Sequence, residues 1–529
     1  MKGSDHMKKH VKKLAAVLMS GALLLGAVGC GGGDTKAEKK ETLRIGISNF
    51  ADILDPAEHS VGWAVMRYGL GETLIKFDEK MNVQPWLAES WSISDDKLTW
   101  TIKVRENVKF SNGKPLTAKD CKASIERTLG ISVEARSWAN IESITAEGQT
   151  LTIKTTKPMP NFIGVLGDPY FTIIDTEDTT HDIKRDGPIC TGPYVMKSFS
   201  RDKAIMEANP YYWDGTPAFK KVEIPSIDDP NTRAMALQSG EIDAAVNIAF
   251  GDMALFNDTN KYNVSTIDSI RDVLARINVN EGRPFADKKV REAFICSLDR
   301  ESYSKTLLKG TFTPGGPAMP PSLDFGFNEI ENKDAYNVDR AKKLLSEAGW
   351  KDTNGDGIVD KDGKNLEVDF VYYSSRAELP IFAEAAQADA AKIGIKVNLK
   401  NVDYNVMDKL GVSGDYDLMI SNIMTEQAGD PLNFLNMYWR SNIDGQNPQN
   451  SSGYSNPTYD ALGDALRVEF DKSKRRDIII SMQKIIMDDA AAIIFGYPQT
   501  NIISNKSITG AKIQACDYYW LTKDWKPAN

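Results

Sequence analysis

Residues 14–28 (LAAVLMSGALLLGAV) are all apolar or small, and Lys8, Lys9, Lys12 and Lys13 stand just before them. A positive stretch followed by an apolar core of this length is the pattern of an export signal. Crossing a hydrocarbon core takes about 20 apolar residues, and this run falls short. No later segment is long and apolar enough to span a membrane either, so the rest of the chain is expected to fold in water, outside the membrane. Met1–His6 precede a natural start at Met7 and are set apart as added residues.

Small residues lead to Cys30, and Gly31, Gly32 and Gly33 follow. This resembles a bacterial lipobox, in which the cysteine is lipidated and begins the mature protein, so residues 7–29 read as a lipoprotein signal peptide. Residues 30–41 are rich in Gly, Lys and Glu without apolar periodicity, which makes them a flexible tether. Acyl chains contribute about 0.8 kcal/mol per buried CH₂, and several together hold a protein at a membrane. The chain is thus expected to be extracytoplasmic and lipid-anchored to a bacterial membrane.

With 529 residues, 41% hydrophobic and 26% charged, the body has the composition of two or three globular domains. A net charge of −9 and the lack of a basic stripe argue against a nucleic-acid partner. Cys121, Cys190, Cys296 and Cys516 lack the CxxC spacing of a zinc site and read as buried small side chains, with no disulfide assigned.

Leu43, Ile45 and Ile47 alternate with polar residues and predict a first strand. A polar loop over 49–59 is broken by Asp55-Pro56, and helical spacing follows over 62–75. A strand at 98–104 places Trp100, Ile102 and Val104 on one face; strand plus turn is expected at 108–113, where Asn112-Gly113 favours positive φ. Thr117 is a plausible N-cap for a helix over 117–129. Further on, the strand 366–372, a helix from about Pro380, a stop at Gly394 and the alternation Ile395, Val397, Leu399 make a βαβ unit. An apolar run at 416–420 has strand length, and 495–504 returns towards the first lobe.

The order of motifs carries more. Leu54-Asp55-Pro56-Ala57 is followed by Pro85 to Trp91 (PWLAESW) and Arg105 to Asp120 (RENVKFSNGKPLTAKD). Then come Thr191-Gly192-Pro193-Tyr194, Asn209 to Trp213 (NPYYW), Arg233 to Asp243 (RAMALQSGEID), Ala341 to Trp350 (AKKLLSEAGW) and Gly453 to Pro457 (GYSNP). In this order, from about residue 42 to 529, the set resembles the family 5 solute-binding proteins of ABC importers, the dipeptide-, oligopeptide- and nickel-binding group. Most of these residues set turns or pack the core, so the resemblance speaks first to fold.

The resemblance implies an α/β, two-lobed periplasmic-binding-protein-like clamp of class II type with an inserted α+β subdomain. Lobe I would comprise 42–66, 181–272 and 497–529; the inserted subdomain 67–180; lobe II 273–496. It implies a receptor that captures a small ligand and delivers it to ABC permease subunits, as a monomer without a cofactor. No GxSxG, HExxH or P-loop pattern occurs, and the chain past Cys30 has only His59 and His181, so no enzyme is expected.

A binding cleft needs aromatic walls and a few orienting polar groups. His59 follows Asp55-Pro56 and could coordinate a metal or accept a hydrogen bond, or be an exposed loop histidine. Arg136-Ser137-Trp138 resembles the Arg/aromatic pair that nickel-type members direct at a chelate. Arg376 lies in a "SRAELP" stretch like that of nickel-type members, before a helix N-terminus that favours anions, and could equally be a surface cation. Thr425 to Pro431 (TEQAGDP) has Gln427 where dipeptide-binding relatives hold the ligand ammonium with Asp, and Glu426 beside it. Asp168 falls near a chelate-binding Arg of the nickel-type pattern, and would repel an anion. The predicted contacts are therefore His59, Trp63, Arg136, Trp138 and Tyr170 from the first lobe and Arg376, Glu426 and Gln427 from the second. Short peptides lead as the ligand class on the breadth of the family, with a nickel or other metal chelate as the alternative. Asp352, Asn354, Asp356 and Asp360 imitate a calcium loop, but Gly363 stands where the closing Glu belongs, which favours a solvated turn.

Overall fold

The computed structural model describes residues 40–48, 51–58, 61–426 and 428–528. The signal peptide, Cys30, most of the tether, His59 and Gln427 lie outside the described residues. No helix among the described residues is long and apolar enough to cross a membrane.

One strand organises the molecule. Ala492–Asn505 runs for 14 residues, an extended length of about 46 Å at about 3.3 Å per residue. Its first half pairs antiparallel with Arg271–Ile277, its second half with Tyr262–Asp268 and Ala244–Val246. Between the halves the Val273/Leu274 register shifts, and Pro498, which has no N–H to give a ladder, accepts from the Ser269 N–H at 3.0 Å. Two chain segments, residues 268–271 and 496–499, thus run side by side where the two parts of the sheet meet.

The sheet built on this strand has twelve members. On the lobe II side Arg271–Ile277 is followed by Leu418–Met424, Glu367–Tyr372 and the edge strand Lys396–Asn401. On the lobe I side Ala244–Val246 is followed by Thr42–Gly46, Lys221–Pro225, Lys203–Ala208 and Tyr194–Phe199. The βαβ unit read from sequence is there: Glu367–Tyr372 and Lys396–Asn401 are parallel, joined by the helix Glu378–Ala391. Gly394 makes its turn at φ +80, where a Cβ would sit 2.9 Å from Val359 Cγ1.

The subdomain carries a four-stranded antiparallel sheet in the order Ala88–Ile93, Thr99–Val104, Thr150–Thr155, Ile141–Glu147. Trp100, Ile102 and Val104 are buried on one face as their alternation predicts. The helix Ala118–Ile131 packs Cys121, Ile125 and Thr128 inwards, and is started by Thr117, whose N–H donates to the Asp120 carboxylate at 2.9 Å.

Two local expectations fail. The helix anticipated over 62–75 ends after Gly62–Arg67, because Gly69 turns at φ +67 and Gly71 lies so close to Thr172 that a Cβ would meet its Cγ2 at 2.3 Å. Instead of a strand at 108–113 there is a tight turn through Gly113 at φ +89, with only an isolated Lys109–Pro115 bridge. Cys121, Cys190, Cys296 and Cys516 are buried free thiols.

Candidate ligand-binding cleft

The site grows from the short helix Gly62–Arg67. A Cβ on Gly62 would lie 2.3 Å from the Pro169 carbonyl oxygen, so glycine lets this helix press against the turn Pro169–Phe171. Trp63 and Arg67, four apart, share one face. The Arg67 guanidinium lies over the rings of Trp63 at 5.1 Å and Trp520 at 4.2 Å. Its Nη2 donates to Asp517 Oδ2 at 2.6 Å and its Nε to the Asp517 carbonyl at 2.8 Å. Burial lowers the Arg67 pKa, and the nearby Asp517 works against that shift.

Tyr518 is the next layer. It meets Trp63 edge-on at 5.1 Å and Phe77 at 6.3 Å, and its buried hydroxyl has no partner among the described residues. Burial drives its pKa well up, helped by Asp168 on the lobe I side and Glu426 on the lobe II side. Asp168 accepts from the Tyr170 N–H at 3.0 Å, and burial raises it to about 7. Glu426 is buried with Oε2 unpartnered, and burial, then Asp430 and Asp78, raise it well above the carboxylate range.

Tyr170 donates from its hydroxyl to Glu134 Oε2 at 2.6 Å and stands edge-on to Trp138 at 5.6 Å. A pocket of about 500 Å³ opens beside it, between Ala57-Glu58 and residues 131–134. Arg136 is exposed on the same hairpin, but its Nε is committed to the Leu129 carbonyl at 2.9 Å.

From the second lobe, Arg376 is exposed in the turn before the helix Glu378–Ala391. Arg271, where the crossing strand enters lobe II, is partly buried. Burial first, then the positive charges of Arg376 and Arg67, push Arg271 down to about 10, against the pull of Asp517. Its Nη1 makes one long hydrogen bond, 3.4 Å, to Asn422 Oδ1, and Asn422 Nδ2 donates to Glu378 Oε1 at 2.8 Å. Among the described residues neither Arg271 nor Arg376 has an ion-pair partner. Tyr373, stacked edge-on with Tyr404 at 5.0 Å, completes this wall beside Arg376.

The lobes touch beside the site. A Cβ on Gly164 would fall 1.9 Å from the Ala428 carbonyl oxygen, and one on Gly429 would fall 2.9 Å from Phe77. Asp430, next in that loop, forms an ion pair with Arg475.

Trp63 thus packs on Tyr518, Glu426 lies near enough to bear on that hydroxyl, Tyr170 pairs with Trp138, and Arg376 joins Arg67 and Arg271. Arg136 is turned onto its own hairpin. Arg67, Arg271, Asp517, Tyr518 and Trp520 escape the sequence reading; the dense aromatic run at 518–520 was the one visible sign of them. The calcium-like loop turns its oxygens inward. Asp352 accepts from the Gly355 and Gly357 N–H groups at 2.7 and 3.0 Å, Asn354 from Asp356 at 2.8 Å, Asp356 from Ile358 at 2.8 Å, and Asp360 from Thr353 at 2.7 Å. No group of three His, Cys, Asp or Glu among the described residues is arranged to hold a metal.

The sequence profile of the bacterial extracellular solute-binding proteins, family 5 Middle, matches residues 82–446. The chain belongs to this family. The nickel-binding protein NikA of Staphylococcus aureus is 26% identical over 502 residues, 95% of this chain and 96% of that one. The dipeptide-binding protein DppE of Bacillus subtilis is 26% identical, covering 98% and 100%. The crystal structure of a nickel ABC transporter from Bacillus halodurans superposes with a TM-score of 0.80 at 28% identity, over 92% of this chain and all of that one. This family 5 protein is a non-catalytic, extracytoplasmic ligand-binding receptor of an ABC importer.

Proposed function

We propose that this receptor captures a small carboxylate-bearing ligand, a metal held by an organic chelator, and delivers it to its permease from a lipid anchor on Cys30. The supporting observation is charge. Arg271 and Arg376 stand at the junction without acid partners among the described residues, whereas Asp517 is taken by Arg67 and Glu426 is buried, which disfavours its charged form. Such a wall suits carboxylates, which guanidinium groups grip bidentately, and offers little to a free α-ammonium group. Trp63, Tyr170 and Tyr373 supply flat apolar faces for the organic part. Likeness to nickel-binding relatives over nearly the whole chain agrees.

Short peptides are the second reading, favoured by the buried carboxyl of Glu426, whose charged form a ligand ammonium group would stabilise, and by likeness to a dipeptide-binding relative. Native mass spectrometry of the purified receptor, with metal analysis of the same sample, separates the two. A metal with an organic carboxylate is expected, and a mixture of peptide masses would transfer the assignment to peptides. Neither species, with no thermal shift in a metallophore or peptide panel, would defeat both.

A further inference from the structure

Arg67 from the helix Gly62–Arg67, Arg271 from the strand Arg271–Ile277 and Arg376 from the turn before the helix Glu378–Ala391 approach one junction. The Ile270 N–H donates to the Ala515 carbonyl at 3.3 Å, which sets Arg271 beside the segment whose Asp517 holds Arg67, and Asn422 links Arg271 to Glu378, two residues past Arg376. We infer that Arg271 is a specificity-determining residue which, together with Arg376, selects ligands bringing at least two carboxylates to the hinge end of the cleft. This deepens the carboxylate reading above and rests on it.

Arg271 and Arg376 lack acid partners among the described residues. Asp517 is the acid that reaches this cluster most directly, and its carboxylate is engaged: Oδ2 accepts from Arg67 Nη2 and Oδ1 from the Trp520 indole. Glu378, the other acid on this wall, accepts from the Asn422 amide at 2.8 Å and makes no ion pair with Arg271 or Arg376 among the described residues. That amide turns its oxygen towards Arg271 but contributes only a 3.4 Å bond, and no charge. Asp272, next along the strand, is buried with both oxygens unpartnered among the described residues, and burial disfavours its charged form. Like charges in a partly desolvated junction repel more strongly than in water, because the effective dielectric is lower. Bringing Arg376 up to Arg271 and Arg67 is therefore opposed until anionic groups fill the space between them. One carboxylate can serve one arginine bidentately; two arginines on opposite sides of the hinge call for a second. A ligand favours the closed lobes only by binding that state more tightly, and a second carboxylate would supply that difference.

The test uses the full mature receptor, stripped of co-purified ligand, at low ionic strength where screening is weak. Acetate, succinate and citrate serve as probes, with small-angle scattering and tryptophan fluorescence reporting closure. Succinate and citrate should close the wild type at concentrations at least tenfold below acetate, and Arg271→Gln should erase that preference. Arg271→Lys, which keeps the charge but not the bidentate fork, should retain part of it and carries the test if the Gln variant does not fold. An unchanged preference in a folded Arg271→Gln variant, or a wild type that ranks acetate with the polycarboxylates, overturns the inference. If Arg271→Gln keeps the co-purified carboxylate at wild-type stoichiometry while Arg376→Gln loses it, the role of Arg271 fails and the receptor reading stands. If the wild type carries no carboxylate at all, both fail together.

Discussion

Gly164→Ala tests whether the contact between the subdomain and the 425–430 loop is a closing surface. The added Cβ would lie 1.9 Å from the Ala428 carbonyl oxygen and 3.0 Å from its carbon. Even a close C–H···O contact keeps carbon and oxygen about 3.3 Å apart, so the two surfaces must part by more than about 1 Å. Neither side yields easily. Gly164 sits in the buried turn Phe162–Val165, while the loop is pinned by Gly429 on Phe77 and by the Asp430–Arg475 pair. Overpacking of this kind costs about 1–3 kcal/mol. If the cost falls on the closed form alone, the closed population drops about 5- to 150-fold relative to the open one. Scattering should then show a larger radius of gyration in the ligand-free variant, and titration with the co-purified ligand should show affinity reduced by a similar factor. Thermal stability should barely move, since a cost carried by the closed form alone leaves the open form unchanged. A folded variant with wild-type scattering and affinity would refute the reasoning. So would a fall in melting temperature without any opening, because the contact would then be fixed core.

Glu72 is fully buried, accepting from Thr191 Oγ1 at 2.7 Å, Trp213 Nε1 at 2.8 Å and the Tyr212 hydroxyl at 3.1 Å, and burial raises it from 4.5 to about 7. The folded state therefore binds a proton that the unfolded state releases between those values. The resulting stability is complete below pH 4.5 and is lost as pH rises through 7, up to about 3 kcal/mol. Melting temperature should fall over that window, and Glu72→Gln should flatten the fall; an unchanged slope would remove Glu72 as its source. Asp430→Asn leaves Arg475 without its acid partner in a buried setting and is expected to cost about 3 kcal/mol in denaturant unfolding. A loss below about 1 kcal/mol would mean that the Leu466 and Glu469 carbonyls, which also accept from Arg475, suffice.

Much of the fold was readable in the chain. The alternation at Trp100, Ile102 and Val104, the Thr117 cap and the glycine stop at Gly394 are local devices, set by pleat, capping and positive φ. The order of turn and core motifs then singled out the family and its two-lobed clamp. The expectation of an export signal and of a lipidated Cys30 rests on the sequence alone. What the chain could not disclose depends on approach in space. The helix over 62–75 stops early because Leu521 and Thr172 close in on Gly69 and Gly71, residues remote in sequence. Arg67 finds Asp517 across 450 positions, and Arg271 becomes a site candidate only because Arg67 and Arg376 reach the same junction. Periodicity reports which face a side chain takes on its own element. Which charges then meet at the junction, and which are left without partners, is decided by how two lobes pack across the crossing strands.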